Sequence, residues 1–241
     1  MKAILLVGHG SRKQTSNSQF IQLAEAVAAK CNVELFRYAF LELASPSILA
    51  EIEVCVEKGA KEIIIYPLLL LTAGHAKVDI PNEIAKAKEI YPTIVFHFEK
   101  PLGIQNSIIS ILESRLAEKQ FHEKENSLVM FVGRGSHDQK QIDEFEIVRY
   151  LLEKKLNTVA VQSSYLVGGH TSFKLAVEKA KLSSCQHIFV LPYLLFRGVL
   201  LEEMEEFLET QKDDRFTICK QIGADEMLVD LVSNLVNEGS R

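Results

Sequence analysis

Residues 3–12 read Ala3-Ile4-Leu5-Leu6-Val7-Gly8-His9-Gly10-Ser11-Arg12, and residues 132–136 read Val132-Gly133-Arg134-Gly135-Ser136. The first stretch is a short apolar run that stops at glycines, the pattern of a buried strand entering a tight turn. The second repeats Val7–Ser11 at an offset of 132 − 7 = 125 residues. Pro67, Leu69 and Leu70 meet Pro192, Leu194 and Leu195 at that same offset. Gly103 and the helix expected after it correspond to Gly223 and its helix, at 223 − 103 = 120. One five-residue match can arise by chance, whereas a nearly fixed phase over three separated segments points to a duplicated unit.

Working outward, apolar β-branched runs alternate with amphipathic stretches, which predicts parallel strands joined by crossover helices. Strands are expected over Ala3–Val7, Val33–Phe40, Glu62–Leu69 and Thr93–Phe98, and helices over Asn17–Lys30, Ser47–Lys58, Ile80–Ile90 and Asn106–Lys119. Ser45 and Pro46 supply a cap and first-turn signal for the second helix. The second half runs through the same order, from a strand at Ser127–Val132 to a closing helix near Ala224–Asn237. The expected fold is α/β, with two homologous domains over residues 1–120 and 126–241 joined through the polar stretch Lys119–Asn126. Each domain is a parallel sheet flanked by helices, with an active-site cleft between the two.

The 241 residues suffice for a real core, and the hydrophobic fraction of 47% with 24% charged residues is that of a globular protein. A formal net charge of −5 lacks the basic excess of a general nucleic-acid binder, so no nucleic-acid partner is expected. The longest largely apolar run, Ile63 to Ala73, is too short to cross a bilayer, and no signal-peptide pattern opens the chain. A cytoplasmic protein without a membrane partner, acting as a monomer, is the expectation. Cys31, Cys55, Cys185 and Cys219 form no C-x-x-C pair and are expected to be free thiols in or near the core.

Ligands of open α/β sheets bind beyond the carboxyl ends of the strands. Three residues stand there: His9 after the first expected strand, Glu42 after the second and His75 after the third. Two imidazoles and a carboxylate suit a divalent metal such as Fe²⁺, Co²⁺ or Zn²⁺, and they suit proton transfer equally, since a histidine titrates near neutrality. Taken singly, His9 could serve a turn, Glu42 a solvated loop and His75 a helix cap. Their equivalent positions in consecutive β-α units favour a shared site.

The duplication supplies an internal control. Adding 125 carries His9 to Arg134, Glu42 to Val167 and His75 to Leu200, so the second copy keeps the glycines and drops the chemistry. Arg134 and Arg197 stand at the corresponding strand ends and are candidates for binding substrate carboxylates, against the alternative of ordinary surface arginines. His97, His122, His137, His170 and His187 share no spacing; His170, after Gly168-Gly169 in the loop matching that of Glu42, is the strongest further candidate.

Gly8-His9-Gly10-Ser11-Arg12, Phe40-Leu41-Glu42-Leu43 with Pro46, and Pro67 through Lys77 with Asp79-Ile80-Pro81 together resemble the class II tetrapyrrole chelatases, over essentially the whole chain. The match is closest to the two-domain members that insert iron into sirohydrochlorin to give sirohaem. The resemblance implies a lyase-class chelatase with His9 as proton acceptor and metal ligand and His75 as second metal ligand. It also implies substrate contacts from the loop Leu70, Leu71, Thr72, Ala73 and Gly74 and from Ser45, where an acidic residue often stands in the family. It implies no organic cofactor and no ATP, in line with the lack of a G-x-x-x-x-G-K-[ST] phosphate loop. Fe²⁺ is the implied metal substrate, with Co²⁺ as the alternative; the histidine-rich segment and cluster cysteines of long cobaltochelatases are not in this sequence.

The tetrapyrrole is then expected in the cleft between the domains, flanked by Leu70 and Leu71, with Glu42 tuning the histidines. Two rival classes remain at this point. A histidine phosphatase also places a His-Gly pair after its first strand, but calls for an arginine before the histidine where this chain has Gly8. A metal or tetrapyrrole carrier would bind without catalysis.

Overall fold

Strand β1 (Lys2–Gly8) is apolar on both faces and buried along nearly its whole length, which requires neighbours on both edges and helices on both sides. In the computed structural model, which describes residues 1–72, 78–121, 126–157 and 160–239, it has both. β2 (Leu35–Phe40) pairs along one edge in register Ala3 with Leu35 to Gly8 with Phe40, and β3 (Glu62–Pro67) along the other, from Lys2 with Glu62 to Val7 with Pro67. β4 (Val95–Phe98) closes the sheet beyond β3, so the order is β2-β1-β3-β4, all parallel. The edge strand β4 alternates exposed and half-buried residues, as a strand at the margin should.

The helices α1 (Gln14–Lys30), α2 (Ile48–Glu57) and α3 (Ile80–Ile90) cross between these strands. Helix α1 starts three residues before its expected position at Asn17, because its first turn is polar and carries no apolar periodicity. Ser47 caps α2, its hydroxyl accepting from the Ala50 N–H at 3.3 Å. Helix α4 (Asn106–Ala117) follows β4.

The second half repeats the arrangement. β5 (Ser127–Gly133), β6 (Val161–Tyr165), β7 (His187–Tyr193) and β8 (Phe216–Ile218) form a second parallel sheet of order β6-β5-β7-β8. Helices α5 (Gln139–Leu156), α6 (Phe173–Lys181), α7 (Val199–Gln211) and α8 (Glu226–Gly239) complete it. The expected α/β fold of two homologous units with parallel, helix-flanked sheets is what forms. The offset read from the sequence persists atom by atom: the Leu41 N–H bonds the Gly8 carbonyl as Leu166 bonds Gly133, and Gly103 bonds Leu70 as Gly223 bonds Leu195.

Sequence repeats and compact units are not coextensive. One unit comprises Met1–Gly103 with Glu226–Arg241, and the other Ile104–Asp225. Each repeat therefore gives its last helix to the other unit. In the first unit α8 packs on α1, burying Leu228, Val229, Val232 and Val236. Lys30 Nζ reaches Asp230 Oδ1 at 2.6 Å, and the Tyr66 hydroxyl donates to the Leu235 carbonyl at 3.3 Å. In the second unit α4 packs on α5 and β7, and Arg115 donates to the Gln221 and Ile222 carbonyls and to Asp225 Oδ2 at 3.0, 2.6 and 2.8 Å.

The order β2-β1-β3 reverses direction between β1 and β3, and open sheets present their ligand crevice at such a switch point, beyond the strands' carboxyl ends. No described helix is long and apolar enough to cross a membrane.

Candidate active site

The loop leaving β1 is shaped by two glycines. A Cβ on Gly8 would lie 2.8 Å from the Phe20 ring, so the strand end sits directly on α1. Gly10 has φ +90, and a Cβ there would fall 1.8 Å from the Glu42 carbonyl oxygen. Only glycine lets the β1 and β2 loops run this close. The Leu41 N–H donates to the Gly8 carbonyl at 2.8 Å and the Glu42 N–H to the His9 carbonyl at 3.0 Å, extending the β1–β2 pairing past the strands. The Asn17 amide donates to the Ser11 carbonyl at 2.8 Å and fixes the far side of the loop.

This backbone brings the first two candidate residues together. His9 Nε2 lies 3.5 Å from Glu42 Oε1, with the side chains 34% and 51% exposed. Both side chains are thus partly open to solvent. Among the described residues no group of three His, Cys, Asp or Glu is clustered as for a metal ion. His75, Gly74 and Ala73 lie outside the described residues.

Of the other predicted contacts, Leu70 is partly buried, Leu71 is buried in the unit and Thr72 is partly exposed. Ser45 is exposed and precedes a cis bond to Pro46, whose carbonyl accepts from the Phe40 N–H at 2.8 Å.

In the second unit the same loop geometry recurs without the chemistry. Gly135 has φ +85 and a Cβ there would meet the Val167 carbonyl oxygen at 1.7 Å. Arg134 is exposed at the position of His9. Arg197 holds Glu205 through two bonds of 2.8 and 2.5 Å, and that carboxylate raises the guanidinium pKa. Its fork is thus already engaged within its own unit.

His170 lines a cleft of about 420 Å³ together with Glu146, Arg149, Tyr165 and Lys179. Arg149 bridges Glu146 and Glu153 there at 2.9 Å each, and the Tyr165 hydroxyl donates to Glu146 at 2.6 Å. This network was not legible in the sequence, since its carboxylates and arginine stand among many exposed charges of α5. His97 Nε2 pairs with Glu62 Oε1 at 3.2 Å on the sheet margin, and His122 lies outside the described residues. The four cysteines are free; burial pushes the Cys55 thiol up to about 11 and that of Cys219 up to about 12.

The two parallel sheets share the order 2-1-3-4, with His9 at the switch point of the first and Arg134 at the equivalent position of the second. The CbiX family model matches residues 3–119 and again 128–239, and the chain belongs to the CbiX family. It is 38% identical to the sirohydrochlorin ferrochelatase of Priestia megaterium, over 98% of this chain and 90% of that protein. A sirohydrochlorin cobaltochelatase of the same organism is 34% identical over 88% of this chain and 70% of its own length. SirB from Bacillus subtilis, solved with Fe³⁺, superposes with a TM-score of 0.90 at 31% identity, covering 98% of this chain and 94% of that one. The resemblance to the chelatases read from the motifs is borne out.

Proposed function

We propose that this chain is a sirohydrochlorin ferrochelatase, which inserts Fe²⁺ into sirohydrochlorin and releases the two pyrrole protons. The observation that carries the reading is the His9–Glu42 pair at the β1–β2 end of a sheet whose relatives include a ferrochelatase over the whole chain. In this reading the metal is substrate, and no organic cofactor takes part. His9 binds the incoming ion and accepts a pyrrole proton as the metal replaces it. Glu42 holds the imidazole in orientation and stabilises the imidazolium that results. His75, which follows β3 in the sequence, is assigned as the second ligand, and Leu70, Thr72, Ala73, Gly74 and Ser45 as contacts of the macrocycle; Leu71 is buried in its unit and is not among them.

Cobalt insertion is the second reading, favoured by the cobaltochelatase relative at 34% identity and by the fact that imidazole ligands accept both ions. Anaerobic assays of purified protein with sirohydrochlorin and Fe²⁺ or Co²⁺ at matched low concentration separate the two. The ferrochelatase reading expects the higher kcat/KM with Fe²⁺; a clear preference for Co²⁺ replaces it with the cobalt reading. A carrier would give no rate enhancement over the uncatalysed reaction with either ion.

A further inference from the structure

Next to Glu42 stands a residue that the proposed mechanism does not use. Leu43 has φ 61, the left-handed region that disfavours side chains, and it is 52% exposed. Among the described residues the other non-glycine positions at positive φ are Gln120, Asn126, Asn157 and Lys212, all polar, with Asn157 and Lys212 at helix C-caps. Leu43 is the apolar exception. At that exposure its side chain is not among the buried core residues described for its unit.

The duplicated unit supplies the comparison. Gly168, at 168 − 43 = 125, has the same φ of 61. There the loop uses the residue that adopts this conformation without strain. The first unit instead keeps a leucine, accepting an unfavourable backbone conformation together with solvent-exposed apolar surface. An exposed leucine alone is ordinary. An exposed leucine in a strained conformation, beside a His–Glu pair that its glycine-bearing copy lacks, is the signature of a side chain kept for a ligand.

We infer that Leu43 is a substrate-contact residue that lays its side chain on an apolar face of the macrocycle, adjoining the His9–Glu42 pair. The inference rests on the tetrapyrrole reading above. Covering a half-exposed leucine by a flat apolar ligand is worth roughly a 5- to 20-fold change in affinity.

The test compares Leu43→Ala, Leu43→Gly and Leu43→Met by fluorescence titration with metal-free sirohydrochlorin, by steady-state kinetics, by Co²⁺ binding and by thermal unfolding. Leu43→Ala and Leu43→Gly are expected to weaken sirohydrochlorin binding and raise its KM by about 5- to 20-fold, with kcat and Co²⁺ binding within about twofold of wild type. Leu43→Met restores affinity, and Leu43→Gly unfolds at the same temperature as wild type or higher, because strain is relieved. A structural leucine behaves in the opposite way: Leu43→Gly lowers the melting temperature and leaves KM unchanged, which overturns the assignment. Wild type that binds no sirohydrochlorin overturns the tetrapyrrole reading and this assignment with it, whereas wild-type binding matched by both truncations overturns the assignment alone.

Discussion

His9 Nε2 stands 3.5 Å from Glu42 Oε1 because the glycine at position 10 lets one loop cross the backbone of the other. The two side chains come from residues 33 positions apart in sequence, the difference between 42 and 9, and their carbonyl and amide are bonded directly. The approach of His9 to Glu42 therefore depends on a backbone contact as much as on the side chains.

Gly10→Ala is expected to force the Glu42 carbonyl away and to cost about 2–4 kcal/mol of stability, together with at least a tenfold loss of insertion rate. Gly59→Ala is the control: it also has positive φ, +91, but nothing within 4 Å of the new Cβ, so it should cost only about 1 kcal/mol and leave the rate unchanged. Urea unfolding and initial rates on both variants check this. Equal stability losses would remove the steric argument.

Glu42→Gln keeps the size of the side chain and removes its charge. If the carboxylate orients His9 and stabilises its protonated form, kcat should fall by about 10- to 100-fold with little change in melting temperature, the half-exposed side chain contributing little to folding. Steady-state kinetics beside a thermal melt decide it; an unchanged kcat removes Glu42 from the machinery.

Much of this was legible in the sequence, and the reasons are specific. His9 and Glu42 were visible because strand ends are where α/β sheets place ligands, and because the duplicate drops both residues while keeping Gly8 and Gly10 as Gly133 and Gly135. The exchange of α4 and α8 was not legible: an amphipathic stripe states that a helix must be covered, not which repeat covers it. Leu43 was hidden for a related reason, since leucine carries no local signal for a left-handed backbone and only its alignment with Gly168 hints at one. The Arg197–Glu205 pair spans eight residues across a loop and a helix start, outside the three- and four-residue spacings that sequence patterns reveal.

The helix exchange makes its own prediction. Val232 is buried on α8, which packs on α1, so Val232→Asp should destabilise the first unit by at least about 3 kcal/mol. Hydrogen exchange should then accelerate in α1 and β1 before α5 and β7, although residue 232 belongs to the second sequence repeat. Loss of protection first in α5 would contradict the assignment of α8.

Acid stability should carry the mark of Glu146. Burial works to raise its pKa, but hydrogen bonds with Ser163, Tyr165 and Arg149 and the guanidinium charge outweigh it and hold the carboxyl below its usual 4.5. A depressed folded-state pKa adds stability above the unfolded value, and that stability is lost as pH falls through the lower folded value. Glu146→Gln should thus be less stable than wild type at pH 7, and the gap should shrink as pH falls below 4.5 and through the lower folded value. Urea denaturation from pH 7 downward measures it; a gap that does not shrink as pH falls would show that the carboxylate charge is not what stabilises.

In the proposed reaction His9 performs metal insertion rather than only binding. Its most direct test is anaerobic single-turnover absorbance of sirohydrochlorin with Fe²⁺, comparing wild type with His9→Ala at protein concentrations that saturate the tetrapyrrole. Wild type is expected to convert the free-base spectrum rapidly to that of the iron complex, and His9→Ala to do so at a rate at least about 100-fold lower with sirohydrochlorin still bound. Metallation by His9→Ala as fast as by wild type would contradict it.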